Sequence, residues 1–234
     1  ASNLKELNFN LWQYCMFRRE KSLVLTDLPD KIRQVNTCEI TNRKEYMDAE
    51  RDLIMYLQKY KDADDDKIEK ALRGEVMVRI NILRQISARG KVRDVIEFVK
   101  DFRENGKKII LFCSLHEVVD QLKRYFPTAV SVTGRDSQDE KQRAVDAFQN
   151  NPKADIIICS IKAAGVGLTL TASSNVAFVE FPWTYADCCQ CEDRAHRIGQ
   201  KDSVTCYYFL GRRTIDEKVY RIIQEKKNIA NAVT

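Results

Sequence analysis

Glycine and proline are scarce, eight and four residues out of 234, well below the average shares of roughly 7% and 5%. That scarcity excludes collagen-like and low-complexity chains and predicts long elements joined by short loops. No stretch approaches the ~18 uninterrupted apolar residues of a membrane-spanning helix. The N-terminus also lacks the basic-then-apolar pattern of a secretion signal. Membrane insertion and secretion are therefore not expected, and the protein should work inside the cell. What is present is a globular composition, 44% hydrophobic and 31% charged. A chain of this size buries about 70% of its surface on folding, ample for a real core. The net charge of +5 permits a polyanionic partner without demanding one.

The eight cysteines are scattered (Cys15, Cys38, Cys113, Cys159, Cys206) apart from the cluster Cys188, Cys189 and Cys191. In a large, helix-rich chain this points to free thiols in a reducing compartment rather than to a disulfide framework. Cys188-x-x-Cys191, with His196 and Cys206, superficially permits zinc. The pair would lie inside a helix with no second Cys-x-x-Cys, so no zinc and no other metal site is expected.

Three stretches differ in texture. Residues 1–34 are basic and irregular, hold Arg18, Arg19 and Lys21, approach Leu28-Pro29, and form a lead-in. Residues 35–90 carry a weakly alternating strand near 35–40 and two helical stretches, 44–59 and 67–86. The acidic run 62–66 joins those helices as a solvated loop. From residue 91 the pattern becomes regular. Val92, Val95, Ile96, Val99 and Phe102 recur at helical spacing, and Asn105-Gly106 ends that helix. Apolar runs follow at 109–113, 129–132, 156–159, 176–181 and 204–210, which read as strands buried on both faces.

Ser114-x-x-Glu117, Ser137-x-x-Glu140 and Thr214-x-x-Glu217 then show capping-box spacing, with Thr184-x-x-Asp187 as a weaker fourth. Strand, cap and helix in repetition predict an α/β fold: an open parallel sheet flanked by helices over 91–234, with an N-terminal helical insertion ahead of it. Ligands of such sheets gather at the carboxyl ends of the strands.

Two segments at such ends carry candidate chemistry. In residues 160–170, Gly165 and Gly167 let the main chain approach a phosphate, and Ser160, Lys162 and Thr169 offer donors and charge. A plain glycine-eased turn is the alternative. In residues 190–200, a helix running from about Thr184 to Gly199 would place Gln190, Arg194 and Arg197 on one stripe. Two guanidiniums and an amide there suit an anion clamp. The alternative is a solvated face closed by an internal Asp193–Arg197 pair.

Asp193-Arg-Ala-His-Arg-Ile-Gly-Gln200 resembles the last helicase motif of the Swi/Snf-type ATPases, superfamily-two DNA translocases that include chromatin remodellers and annealing helicases. Ala163-Ala-Gly-Val-Gly-Leu-Thr-Leu170 is similar to that family's preceding motif. Lys108 to Ser114, Thr133-Gly134 with Ser137 and Arg143, Trp183, and Thr214-Ile-Asp-Glu217 fall in the family's order. One departure is Glu180-Phe-Pro-Trp183-Thr-Tyr, where relatives often carry Asp-x-x-Trp-Asn-Pro; it points to the smaller, annealing-helicase-like members. A larger departure is the lack of Gly-x-x-x-x-Gly-Lys-[Ser/Thr] and of an acidic Mg²⁺ motif.

The resemblance therefore implies the C-terminal RecA-like lobe of a two-lobe, DNA-dependent ATPase, with residues 1–34 as the approach from the other lobe. ATP and Mg²⁺ would be held mainly by that N-terminal lobe, so this chain alone would be inactive. Arg194 and Arg197 would act as arginine fingers, with Gln190, Gly165 and Gly167 beside the nucleotide. Ser114, Thr133, Gly134, Arg135, Ser160, Lys162 and Trp183 would meet duplex DNA. The start at Ala1 and the missing motifs suggest an excised piece, from the nucleoid of a bacterium or the nucleus of a eukaryote.

Each of these residues has another explanation: Ser114 as a cap, Thr133-Gly134 as a turn, Trp183 as a staple against Cys188, His196 as a packing residue. A non-catalytic nucleic-acid or protein-binding module and an RNA helicase lobe stay open. A Rossmann-type cofactor enzyme is disfavoured, because no Gly-x-Gly-x-x-Gly follows the first strand.

Overall fold

The computed structural model describes residues 3–15, 21–25, 27–60, 65–163 and 167–233. Among them the chain runs α1 (Leu4–Asn10), a π-helical turn (Leu11–Cys15), α2 (Lys21–Val24), β1 (Lys31–Cys38), α3 (Arg43–Tyr60), α4 (Asp65–Glu104), β2 (Ile109–Cys113) and α5 (His116–Tyr125). It continues through β3 (Val130–Val132), α6 (Gln138–Asn150), β4 (Ile156–Ser160), β5 (Asn175–Phe178), α7 (Tyr185–Glu192), β6 (Val204–Gly211) and α8 (Ile215–Val233). The strands form one sheet in the order β1-β6-β5-β2-β4-β3. Every pairing is parallel, so the open parallel α/β sheet expected from the apolar runs is present.

The runs are continuous because both sheet faces are covered. Ile110 and Phe112 of β2 point to one side, where they pack with Val145 and Phe148 of α6, Cys188 and Cys191 of α7, and Val219 and Ile223 of α8. Ile109, Leu111 and Cys113 point to the other, against Val92, Val95 and Val99 of α4 and Val118, Val119 and Leu122 of α5.

Helix α4 is 40 residues long and passes without a break through 90–91, where the sequence suggested a change from insertion to lobe. One helix serves both packings: Leu83 and Ile86 bury against Ile40 and Tyr46, and the turns after them cover the sheet. Gly90 permits this, since a Cβ there would come within 2.2 Å of Asn42 Oδ1 and 2.7 Å of Ile40 Cβ. The lead-in also differs from expectation, forming α1, the π-helical turn and α2 rather than irregular chain. Arg18, Arg19 and the acidic residues 62–64 lie outside the described residues. Among the described residues, no helix is long and apolar enough to cross a membrane.

The caps sort by geometry. Ser137 and Glu140 form the full reciprocal box, and Thr184 Oγ1 accepts from the Asp187 amide at 3.1 Å. Thr214 Oγ1 accepts from the Asp216 amide and Glu217 from the Arg213 amide, a box offset by one residue. Ser114 caps nothing, because α5 begins one residue later, after Leu115.

Candidate functional site

The carboxyl ends of β2, β4 and β5 open into a groove of about 480 Å³. The loops after those strands, with the loop after β3, bring Ser114, Gly134, Ser160, Lys162 and Trp183 to its lining. These positions are spread over seventy residues of sequence and meet only because the parallel sheet aligns its strand ends. Lys162 is exposed, Trp183 is 39% exposed, and Ser160 is buried, with its Oγ accepting from the Ala163 amide at 3.3 Å.

Thr133 and Arg135 flank Gly134 but are engaged within the fold. The Thr133 amide and hydroxyl both donate to Asp136 Oδ2, at 2.6 and 2.8 Å, a local turn of the kind aspartate favours. Arg135 pairs with Asp120 at 3.1 Å.

Two lining residues carry no signal in the sequence reading. Glu180, expected only as a departure from the family pattern, accepts from the Ser114 and Leu115 amides at 2.8 and 2.9 Å. Its carboxylate occupies the positive N-terminus of α5, so that end is already satisfied from within the protein. Arg84, from α4, lies 4.0 Å over the Trp183 ring and 5.4 Å over Phe181, and donates to the Phe181 carbonyl. Burial lowers its pKa, partly offset by Asp216 and Glu180. Among the described residues Arg84 makes no ion pair. Trp183 is thus clamped by a cation from the helical insertion, an arrangement in which ring quadrupole and guanidinium attract.

The arginine-bearing segment departs from the expected single helix. α7 stops at Glu192, and Asp193 to Gly199 are turns. Gln190 and Arg197 are exposed while Arg194 is 9% exposed, so the three do not share a stripe. The Arg194 carbonyl accepts from the Leu170 amide at 2.8 Å, which joins this turn to the loop after β4. Burial pushes the Cys159 thiol up to about 12, and the charge of Arg194 acts against that push. Gly167 is exposed with φ +43°, a conformation that favours glycine. Gly165 lies outside the described residues.

The turn is held from the lead-in and β1. Glu192 is fully buried and receives Arg33 Nε and Nη2 at 2.6 Å each, Lys31 at 3.0 Å and the Tyr208 hydroxyl at 2.8 Å. Burial alone would raise its pKa, but the Arg33 hydrogen bonds and the Lys31 charge hold it below the usual carboxylate range. Asp193 pairs with Lys21 at 2.6 Å and Lys31 at 3.2 Å, and is likewise held low against burial.

His196 Nε2 lies 2.7 Å from the Pro29 carbonyl. Burial pushes its pKa down and the carbonyl pulls it up, with a net lowering. The alternative, an internal Asp193–Arg197 pair, does not form, because Asp193 is taken by Lys21 and Lys31. Among the described residues the exposed Arg197 side chain has no hydrogen-bond or ion-pair partner.

All eight cysteines are free, and burial raises the thiol of Cys188 to about 12 and pushes that of Cys191 well above its ordinary value. Among the described residues no group of three His, Cys, Asp or Glu side chains could hold a metal ion.

Residues 90–199 match the helicase conserved C-terminal domain. The chain is 30% identical over 233 residues to the SWI/SNF-related matrix-associated actin-dependent regulator of chromatin subfamily A-like protein 1 of Xenopus tropicalis, covering 97% of this chain and 24% of that protein. It is 30% identical over 242 residues to the human DNA annealing helicase and endonuclease ZRANB3, covering 99% of this chain and 21% of that protein. The chain thus spans about a quarter of the length of these relatives. In fold it resembles the Sulfolobus solfataricus SWI2/SNF2 ATPase core solved in complex with dsDNA, with a TM-score of 0.69 and 23% identity over 96% of this chain and 50% of that one.

Proposed function

We propose that this chain, which carries a helicase conserved C-terminal domain and has SWI/SNF-related helicases as its relatives, is the second motor lobe of an ATP-dependent double-stranded DNA translocase. The observation that carries the proposal is the state of the arginine-bearing turn. Its two carboxylates, Glu192 and Asp193, are neutralised by Arg33, Lys31 and Lys21, which leaves the Arg197 guanidinium exposed and uncommitted. A permanently charged, bidentate donor without a partner among the described residues is suited to an anion supplied from outside.

In this reading a companion N-terminal lobe binds ATP with its Mg²⁺, and the two lobes close on the nucleotide. Arg197 meets the charge that develops on the transferred phosphoryl group. Arg194 braces the turn against the loop after β4 and supplies a second positive charge. Gln190 and the glycines Gly165 and Gly167 border the nucleotide. A finger of this kind is worth about 10³ to 10⁵ in rate, roughly 4 to 7 kcal/mol of barrier.

The groove is the DNA side of the lobe. Lys162, Ser160 and Gly134 contact backbone phosphates, Arg135 reaches one only by exchanging its Asp120 partner for it, and the half-exposed Trp183 ring lies beside them. Ser114 shapes the groove through its amide on Glu180, and Thr133 through the turn it forms with Asp136 ahead of Gly134. Ser160 and Lys162 line the groove and Leu170, ten residues after Ser160, donates its amide to the Arg194 carbonyl of the turn, so lobe closure on ATP shifts the backbone contacts. Because those contacts are to phosphates, movement is independent of sequence. The fold likeness to a core solved with dsDNA supports duplex as the partner.

The test is ATP turnover of the full-length protein with duplex DNA, single-stranded DNA and RNA in parallel. Duplex DNA should stimulate most. Equal or greater stimulation by RNA would make this an RNA helicase lobe, and no stimulation by any of the three would leave a non-catalytic binding module.

A further inference from the structure

Glu192, Asp193 and His196 of the arginine-bearing turn share one stretch of chain as their main source of partners. Glu192 holds Arg33 and Lys31, Asp193 holds Lys21 and Lys31, and His196 holds the Pro29 carbonyl. Lys21 also donates to the His196 carbonyl at 3.4 Å. Apart from the Tyr208 hydroxyl on Glu192, these partners lie between residues 21 and 33, the segment that runs into the edge strand β1, whose one pairing among the described residues is with β6.

The Arg33–Glu192 contact differs from the others in being a two-point fork, with both distances 2.6 Å and the carboxylate wholly out of solvent. A lone carboxylate is costly to bury, and replacing a buried ion pair by apolar groups is often neutral or stabilising. Stability alone is therefore a weak reason for this pair, whereas a fork fixes both the distance and the orientation of the chain it grips. What it grips is the last residue of α7, from which the turn departs toward Arg197.

We propose that Arg33 is a positioning residue for ATP hydrolysis: its fork on Glu192 sets where α7 ends and thereby where the turn presents Arg197. The inference rests on the reading of Arg197 as a finger. Residues 21–33 then act as a strap: a change in the approach from the companion lobe pulls on Lys21, Pro29, Lys31 and Arg33 and is delivered to the turn as a shift of the guanidinium. Misplacing a catalytic group by about 1 Å can cost on the order of 100-fold in rate, so a small movement of the strap is enough to gate turnover.

The experiment uses the full-length protein with ATP and duplex DNA. Arg33→Lys keeps the charge and loses the fork; Glu192→Gln weakens the same link from the other side and decides the matter if the first variant does not fold. The expected result is a fall in kcat of roughly 10- to 100-fold, with the KM for ATP and the affinity for duplex DNA unchanged. Placed on an Arg197→Ala background, neither variant should lower kcat further, because residues acting as one unit are non-additive. Additive losses, or a change in KM with kcat intact, would overturn the positioning role while leaving the finger in place. An unaffected kcat in Arg197→Ala alone would remove the finger and the positioning role with it.

Discussion

Lys91 of α4 and Asp216 of α8 form an ion pair of 2.7 Å with side chains only 1% and 4% exposed. Asp216 also accepts from Ser87 Oγ at 2.8 Å and the Gly211 amide at 3.1 Å, and Lys91 donates to the Phe209 carbonyl at 2.8 Å. The long helix is thereby bolted to the β6–α8 corner at the point where its packing changes from the insertion to the sheet. Removing one partner strands the other in the core, at a typical cost of 3–5 kcal/mol. Lys91→Ala or Asp216→Ala should each lose about that much in urea unfolding, and Lys91→Met with Asp216→Leu should lose less than either. Single variants within 1 kcal/mol of the parent would show that the pair is not a structural bolt.

Lys162 should contribute one phosphate contact to duplex binding. In a salt series read by fluorescence anisotropy, Lys162→Ala should weaken binding to all sequences alike. It should also reduce the slope of log affinity against log salt by about 0.9. Arg84→Ala should weaken binding too, by freeing Trp183 from its clamp, and the double variant Arg84→Ala with Trp183→Ala should then lose little more than Trp183→Ala alone. Independent, additive losses would place Arg84 on the DNA directly.

Glu180 should matter for stability before it matters for binding. Its carboxylate satisfies two amides at the start of α5, and hydrogen bonds to a charged group contribute about 1.5–3 kcal/mol. Glu180→Ala should lose stability in that range, whereas Glu180→Gln, which keeps an acceptor, should lose less. Equal losses in the two variants would mean that packing rather than the cap is responsible.

The parallel sheet was legible because its central strands are buried on both faces, so that runs such as 109–113 and 156–159 stand out as unbroken apolar stretches. The helical insertion was legible as helices, but not the continuity of α4. Its apolar face changes partner near Gly90, and periodicity in the sequence does not say what a face packs against. The groove was half legible. Lys162 and Trp183 follow buried strands directly, while Arg84 reaches the same place from eighty residues earlier and needs the tertiary fold to bring it there.

The arginine turn shows the opposite limit. Spacing alone placed Gln190, Arg194 and Arg197 on one helical stripe. The helix ends at Glu192, where Lys21, Pro29, Lys31 and Arg33 engage Glu192, Asp193 and His196, long-range contacts that local spacing cannot report.

Acid should loosen that turn. Glu192 and Asp193 are held below their ordinary values of 4.5 and 3.8, and His196 below 6.5. Groups with lowered folded pKa values stabilise the fold above their unfolded values, and that contribution is lost as the pH falls toward the folded ones. The His196 share should therefore begin to fade below about pH 6.5, and the carboxylate share below about pH 4.5. Denaturant midpoints measured from pH 8 to 4 should hold steady and then decline; His196→Gln should remove the first part of the decline. Stability rising between pH 7 and 5 would contradict this picture.

The most direct measurement is the duplex-stimulated ATP turnover of the full-length protein carrying Arg197→Ala. The account predicts a fall in kcat of about 10³- to 10⁵-fold, with duplex affinity retained because the turn and the groove are separate surfaces. Turnover within a few-fold of the parent would contradict it, and would reduce Arg197 to a solvated arginine on an exposed turn.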